Sequence, residues 1–105
     1  MQDEDSGATL GSLPATSAIT QQKLAAAFVA HQQGQYEQAE AGYFDVLQDM
    51  PDHPDALHLL GLLGKARRNY ETAEKLIRRA IAVRPNFSSQ YYNLGNLLAE
   101  RGRVE

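Results

Sequence analysis

Residues 54–87 read PDALHLLGLLGKARRNYETAEKLIRRAIAVRPNF. In this stretch apolar residues recur at three- and four-residue spacing, which indicates amphipathic helices. Arg68-Asn69 interrupts the pattern, and asparagine is a residue type that caps the start of a helix. Pro85 ends the second helix because proline cannot continue one. The stretch therefore predicts two helices, over 54–67 and 70–83, joined by a short turn with Asn69 as the N-cap.

The same pattern continues on both sides of this stretch and repeats every 34 residues. The matched pairs are Tyr36 with Tyr70, Ala39 with Ala73, Pro51 with Pro85, Leu60 with Leu94 and Gly61 with Gly95. Breaks at 34–35 and 50–54 predict three further helices over 18–33, 36–49 and 88–101, and no strand-like alternation interrupts them. Five similar helices joined by similar short turns indicate an all-α array of repeats rather than a bundle.

These residues resemble the tetratricopeptide repeat family, whose unit is a 34-residue helix–turn–helix. The residues of 54–87 that carry the resemblance are Leu57, Leu60, Gly61, Gly64, Tyr70, Ala73, Ile77, Ala80 and Pro85. A weaker unit covers 20–53, and a truncated third unit covers 88–105. The resemblance implies a right-handed solenoid of antiparallel helix pairs, with two full repeats and the first helix of a third. It also implies a concave wall formed by the first helix of each unit.

The chain divides into two parts of different composition. Residues 1–17 are rich in Ser, Gly, Ala, Thr and acidic residues and contain too little apolar surface to offset the entropy of ordering, so they are predicted to form a disordered tail. Residues 18–105 form the predicted repeat domain. Within it, small residues such as Gly61 and Gly95 are expected to let neighbouring helices approach closely.

Length, charge and cysteine content exclude several classes of protein. A chain of 105 residues is no longer than one ordinary domain and is too short for a two-domain enzyme. The net charge of −3 does not favour nucleic acid as a partner. The absence of cysteine excludes a disulfide scaffold and thiolate metal sites, and it fits a reducing compartment. No apolar run is long enough to span a membrane, and the acidic start is unlike a secretory signal, so a cytoplasmic location is expected.

The resemblance implies a groove for a peptide or helix of a partner protein on the concave wall. Phe28, Leu62 and Tyr92 are the expected apolar anchors, and Asn93 and Asn96 are expected to bond the peptide backbone. The full set of predicted groove residues is Leu24, Phe28, His31, His58, Leu62, Lys65, Tyr92, Asn93 and Asn96. The alternative is that these residues are solvated or packed against a further repeat.

Two known groove chemistries of the family can be compared with this sequence. The carboxylate clamp that grips chaperone tails needs Lys, Asn and Arg at positions that here hold Leu24, Phe28, Leu59, Ser89 and Asn93. The clamp is therefore absent. The asparagine ladder of O-linked N-acetylglucosamine transferases needs one Asn per unit, and only Asn93 of the third unit matches. A ladder could begin only at the third unit.

No arrangement of residues points to catalysis, a cofactor or a metal. The three histidines, His31, His53 and His58, lack metal-ligand spacing and are interpreted as turn and surface residues. The acidic pairs Glu37/Glu40 and Glu71/Glu74 recur with the repeat and are interpreted as surface pattern rather than a general acid and base. No Ser-His-Asp set, phosphate loop or dinucleotide fingerprint occurs. The chain is therefore predicted to be non-catalytic, with no cofactor.

Charge is distributed unevenly along the repeats. Residues 35–55 contain acidic residues and no Lys or Arg. Residues 65–84 contain Lys65, Arg67, Arg68, Lys75, Arg78, Arg79 and Arg84 against Glu71 and Glu74. The favoured interpretation is charge complementarity between stacked helices, and the alternative is a patch on the convex side that binds an acidic partner.

The fifth helix carries an apolar stripe formed by Tyr91, Leu94, Leu97 and Leu98. No sixth helix follows in the sequence, so these side chains are expected to be exposed and to drive self-association through residues 88–101.

The sequence thus favours a non-catalytic protein-interaction module. One alternative is the substrate-recruiting repeat region of a larger bacterial glycosyltransferase, sulfotransferase or oxygenase, because 56–63 and 91–96 look like repeats found ahead of such domains. The other alternative is a self-assembling structural protein.

Overall fold

The computed structural model describes residues 17–104, which form five α-helices. They are α1 (Ala18–Gln32), α2 (Tyr36–Asp49), α3 (Pro54–Ala66), α4 (Tyr70–Val83) and α5 (Ser88–Val104). No strand occurs among these residues. The predicted all-α fold is confirmed, and the predicted bounds agree within one residue except that α5 continues to Val104. The predicted tail lies outside the described residues apart from Ser17, which caps α1 by accepting a hydrogen bond from the Thr20 backbone N–H at 3.1 Å.

The turns between paired helices differ from the prediction in one detail. Asn69 is the N-cap residue of α4, as predicted, but its side chain makes no capping hydrogen bond. The preceding residue, Arg68, has a positive φ of 63°, and Gly34 has a φ of 80° in the equivalent turn between α1 and α2. The backbone N–H of Asn69 donates to the Gly64 carbonyl at 2.8 Å, so the turn is closed by the main chain.

A side chain that sequence analysis had not selected begins α3. His53 is 4% exposed, and its Nδ1 atom accepts a hydrogen bond from the Ala56 backbone N–H at 3.3 Å. Pro54 follows at the first helical position, where a missing N–H costs nothing. His53 is therefore a buried N-cap and not the surface histidine that was expected.

The helices pack as two antiparallel pairs with α5 stacked against the second pair. Helices α1 and α2 pack together, as do α3 and α4, and each pair contacts its neighbour along the array. The first helices of successive repeats also touch, α1 with α3 and α3 with α5. Within the described part of the chain α2 and α4 make no contact. The array therefore bends with α1, α3 and α5 on its inner side and with α2 and α4 spread apart on its outer side.

Two apolar clusters hold the array together. The first joins α1, α2 and α3 through Ala27, Ala30, Ala39, Tyr43, Leu60 and Leu63. The second joins α4 and α5 through Ala73, Ile77, Leu94 and Leu97. Glycines allow the closest approaches within pairs, because a Cβ on Gly42 would lie 2.7 Å from the Ala27 Cβ and a Cβ on Gly61 would lie 2.7 Å from the Ile77 Cγ1. Gly95 was expected to act in the same way, but no described atom lies within 4 Å of the position its Cβ would take.

The apolar stripe of α5 is only partly exposed. Leu97 is fully buried and Leu94 is 9% exposed, because both pack against Ala73 and Ile77 of α4. The expectation that these two leucines lie uncovered is wrong. They match Leu60 and Leu63 of α3, which pack in the same way against the preceding repeat. Tyr91 and Leu98 are exposed, as expected.

Candidate functional site

The inner face of α1, α3 and α5 carries the predicted groove residues. Phe28, Tyr92 and Asn96 are exposed, and Tyr92 is the most open of the aromatic side chains at 71%. Leu24, Leu62, Lys65 and Asn93 are half-buried along the same face. The predicted apolar anchors Phe28 and Tyr92 are therefore accessible to a ligand, and Leu62 lies between them on α3.

A cavity of about 500 Å³ lies between α3 and α5 on this inner face. It brings together three predicted groove residues, Leu62, Lys65 and Asn93, and adds Ala66, Arg68 and Glu100. The Lys65 Nζ lies 3.7 Å from the Glu100 Oε1, and the Tyr70 hydroxyl donates to the Glu100 Oε2 at 2.9 Å. That hydrogen bond raises the pKa of the Tyr70 hydroxyl. The cavity thus combines an apolar wall with amide and charged groups.

His58 lies at the base of the groove beneath Asn93. It is 6% exposed, and its Nε2 is 2.9 Å from the Asn93 Nδ2. An amide nitrogen can only donate, so Nε2 accepts and the ring is neutral with its proton on Nδ1. Burial lowers the pKa of His58, with Asp55 acting to raise it and Arg84 to lower it. His58 therefore positions Asn93 rather than facing a ligand directly.

His31 is placed between α1 and α2 rather than in the open groove. Its Nδ1 lies 2.9 Å from the Tyr43 hydroxyl, and its ring meets the rings of Phe28, Tyr36 and Tyr43 edge-on. Burial lowers the pKa of His31 and raises the pKa of the Tyr43 hydroxyl to about 12. The His31 ring therefore packs the first helix pair together, and because the residue is only half-buried, its place in the groove stays a prediction.

Acid is expected to destabilise the fold through these two histidines. Their pKa values in the folded chain lie below the usual 6.5, so the unfolded chain takes up protons first. Stability is full above about pH 6.5 and is lost as the pH falls below it. Urea unfolding of the chain between pH 8 and pH 5 should show a falling midpoint. His58→Gln should be less stable at pH 8 but should show a smaller loss on acidification, and an unchanged pH dependence in this variant would contradict the assignment.

The basic stretch of the second repeat is largely neutralised by ion pairs. Three of these join successive repeats: Arg67 to Glu40 at 3.5 Å, Arg79 to Asp52 at 3.5 Å and Lys65 to Glu100 at 3.7 Å. The pairs within the second repeat are Lys75–Glu71 at 3.8 Å, Arg78–Glu74 at 2.8 Å and Arg84–Asp55 at 2.6 Å. In the third repeat Arg101 lies 2.7 Å from Glu74. The structure therefore agrees with the interpretation of complementary stacked helices for Lys65, Arg67, Arg79 and Arg84. Lys75 and Arg78 pair within α4 instead, and Arg68 makes no ion pair among the described residues.

The uncovered part of α5 is a narrow strip formed by Tyr91, Gly95 and Leu98. Tyr91 is partly held by its own turn, because its hydroxyl donates to the Pro85 carbonyl at 2.7 Å. Self-association through residues 88–101 stays a prediction, and the side chains that could carry it are Tyr91 and Leu98 rather than Leu94 and Leu97.

Two kinds of feature are absent from the described residues. Among residues 17–104 no helix combines the length and the apolar character needed to cross a bilayer. In the same residues no three His, Cys, Asp or Glu side chains come together in a way that could hold a metal ion.

Comparison with known proteins identifies similar sequences and folds. The sequence model of the family described as Tetratricopeptide repeat matches residues 30–100. The comparison with curated proteins gave no match. Among the solved chains that match is a mutant of the Thermobaculum terrenum O-GlcNAc transferase, with 43% sequence identity, a TM-score of 0.75 and coverage of 77% of this chain. This chain spans only 16% of that transferase chain.

Proposed function

Because the chain belongs to the tetratricopeptide repeat family, we propose that it is a non-catalytic module that binds a peptide or helix of a partner protein on the inner face of α1, α3 and α5. Repeats of this family generally bind proteins. The observation that carries the proposal is the inner-face cavity between α3 and α5, which Leu62, Lys65 and Asn93 line, with the exposed Tyr92 next to Asn93 on α5.

The groups at this cavity can make both kinds of contact that a bound peptide needs. Tyr92 and Leu62 offer apolar surface, and a large exposed aromatic ring is a frequent binding hot spot. Asn93 uses its amide nitrogen on His58, which leaves the amide oxygen to accept a hydrogen bond from a peptide N–H. The hydrogen bond to His58 also holds the amide in place, so less side-chain entropy is lost on binding.

Tyr92→Ala is expected to weaken peptide binding about 5- to 150-fold, or ~1–3 kcal/mol, while leaving helicity intact. The ligands would be peptides selected by phage display against the 105-residue chain, with affinities measured by fluorescence anisotropy. Tyr91→Ala is the matched control, because Tyr91 is an exposed tyrosine on the same helix whose hydroxyl is engaged by Pro85. Equal affinities of the selected peptides for wild type and Tyr92→Ala would place the binding site elsewhere.

A second candidate function is the recruitment of substrate proteins to a larger bacterial glycosyltransferase. The similarity to part of the Thermobaculum terrenum O-GlcNAc transferase favours it, since 43% identity is high for repeats that share only a fold. An antibody to residues 20–105 would measure the size of the native polypeptide in the source cells. A band near 11.6 kDa would contradict this second candidate, and a much larger band would support it.

A further inference from the structure

Arg68 differs from the other basic residues of the second repeat. Its side chain makes no hydrogen bond or ion pair within the described part of the chain, whereas the other six basic residues of 65–84 each have an acidic partner. It is also exposed, although it lines the mouths of two cavities. The guanidinium group is therefore available to an anionic ligand.

The backbone of Arg68 is strained in a way that the repeat does not require. The equivalent position holds Gly34 in the first repeat and Gly102 in the third. Gly34 has a φ of 80° and Arg68 has a φ of 63°. A left-handed conformation is costly for any residue with a Cβ and is readily adopted by glycine. Arginine at this position thus lowers the stability of the turn, and such strain is typically retained at functional sites.

One of the two cavities lined by Arg68 is a cleft on the outer side of the array. Helices α2 and α4 do not touch there, and α3 forms the floor between them. The cleft has a volume of about 490 Å³. Phe44 of α2 and Leu76 of α4 form opposite apolar walls over Leu60 and Leu63. Phe44 is 51% exposed, so its ring is accessible to a ligand in the cleft.

The polar rim of this outer cleft carries an excess positive charge. Arg67 lies 3.5 Å from Glu40, and both line the cleft, so their charges offset each other. Arg68 remains, and the Thr72 side chain lies beside it on the same rim. Arginine presents a rigid fork of N–H groups that matches a carboxylate in two parallel hydrogen bonds.

We infer that the outer cleft between α2 and α4 is a second peptide-binding site, which takes a segment with an acidic side chain next to a large apolar one. The carboxylate bonds to the Arg68 guanidinium, and the apolar side chain lies between Phe44 and Leu76. The inner-face cavity is less suitable for this ligand because, of large apolar side chains, it offers only Leu62. The outer cleft lies on the opposite face from the groove that contains Tyr92, so the inference stands independently of the proposed function.

The test is an NMR titration of the ¹⁵N-labelled 105-residue chain with two matched probes, N-acetyl-Phe-Glu-Leu-amide and N-acetyl-Phe-Gln-Leu-amide. The glutamate peptide should shift the amide signals of Phe44, Arg68 and Thr72 and should bind about tenfold more tightly than the glutamine peptide. Arg68→Gly should remove this preference. Lys75→Ala removes the same charge from a mostly exposed side chain on α4 and should retain it.

Thermal unfolding of Arg68→Gly would test whether a lost preference for glutamate is caused by unfolding. Glycine suits the left-handed turn, so this variant should melt about 2–5 °C higher than wild type while losing the preference for glutamate. The inference is overturned if both peptides bind wild type equally, if Lys75→Ala loses the preference as completely as Arg68→Gly, or if the shifts occur only around Phe28 and Tyr92. A lower melting temperature for Arg68→Gly would contradict the argument from strain.

Discussion

Replacing Leu97 by alanine is expected to lower the free energy of unfolding by about 2–5 kcal/mol. Leu97 is fully buried where α5 meets α4, and its side chain packs in the cluster that contains Ala73 and Ile77. Truncation would remove apolar contacts and leave a cavity that fixed helices could close only in part. Urea unfolding followed by circular dichroism at 222 nm would measure the change.

Leu98→Ala provides the matched control for this prediction. Leu98 is the next residue on the same helix, and it is 39% exposed. Its truncation removes the same atoms from a partly exposed position and leaves no enclosed cavity, so the cost should be about 1 kcal/mol or less. If the two variants lost equal stability, α5 would not be docked on α4 as described. If Leu98→Ala cost more than Leu97→Ala, the opposite face of α5 would be the buried one.

Alanine is expected to have opposite effects at Gly61 and Gly95, which occupy the same position in successive repeats. A Cβ on Gly61 would lie 2.7 Å from the Ile77 Cγ1 and 3.2 Å from the Ala73 carbonyl oxygen. Because the helices would have to move apart, Gly61→Ala should lower the free energy of unfolding by about 1–3 kcal/mol. Gly95 has open space around it, so Gly95→Ala should raise the free energy of unfolding by about 0.5–1 kcal/mol through helix propensity.

The pair of glycine variants tests whether α5 has a neighbour on its outward face. Thermal melts at several protein concentrations would give both stability changes and reveal any dependence on association. A destabilising Gly95→Ala would mean that a second copy of the chain covers this face in solution. A neutral Gly61→Ala would mean that α3 and α4 are farther apart than the structure places them.

The helices and their order could be predicted from the sequence because the turn residues and the helical apolar spacing agreed with the 34-residue repeat. The prolines at 51 and 85 and the glycine at 34 mark the turns, and the apolar spacing between them has only the helical period. The 34-residue offset then assigns each helix to a first or second position in its repeat. These signals act within a few residues of each other, so tertiary contacts were not needed to interpret them.

The burial of individual side chains was predicted less well because it depends on contacts between repeats. Leu94 and Leu97 were expected to be exposed on the ground that no later helix covers them, yet an earlier helix does. The 34-residue repeat relates Leu94 and Leu97 to Leu60 and Leu63. In the structure Leu60 and Leu63 pack against the preceding repeat, so the same packing could have been expected for Leu94 and Leu97. The packing of His31 was not predicted for a related reason: its position on α1 does not indicate that its ring contacts Tyr36 and Tyr43 of α2.

The replacement of a repeat glycine by Arg68 is visible in the sequence, but its structural consequence is not. Gly34, Arg68 and Gly102 form an aligned set in which one member departs from glycine. A count of charges along the sequence does not distinguish Arg68 from the six other basic residues of 65–84. The ion-pair distances distinguish a neutralised guanidinium from an available one, and the outer cleft places Phe44 and Leu76 near that group.

The ion pair between Glu40 and Arg67 recurs one period later between Glu74 and Arg101. At both junctions, a glutamate on the second helix of one repeat pairs with an arginine at the end of the first helix of the next repeat. Each pair joins unlike surfaces of successive units, so it also favours one order of stacking. A head-to-tail contact of this type can be repeated from unit to unit along the array. Tandem duplication of one repeat would therefore lengthen the solenoid, and the added unit would make the same ion pair with its neighbours. A unit inserted in the inverted orientation would not make this ion pair.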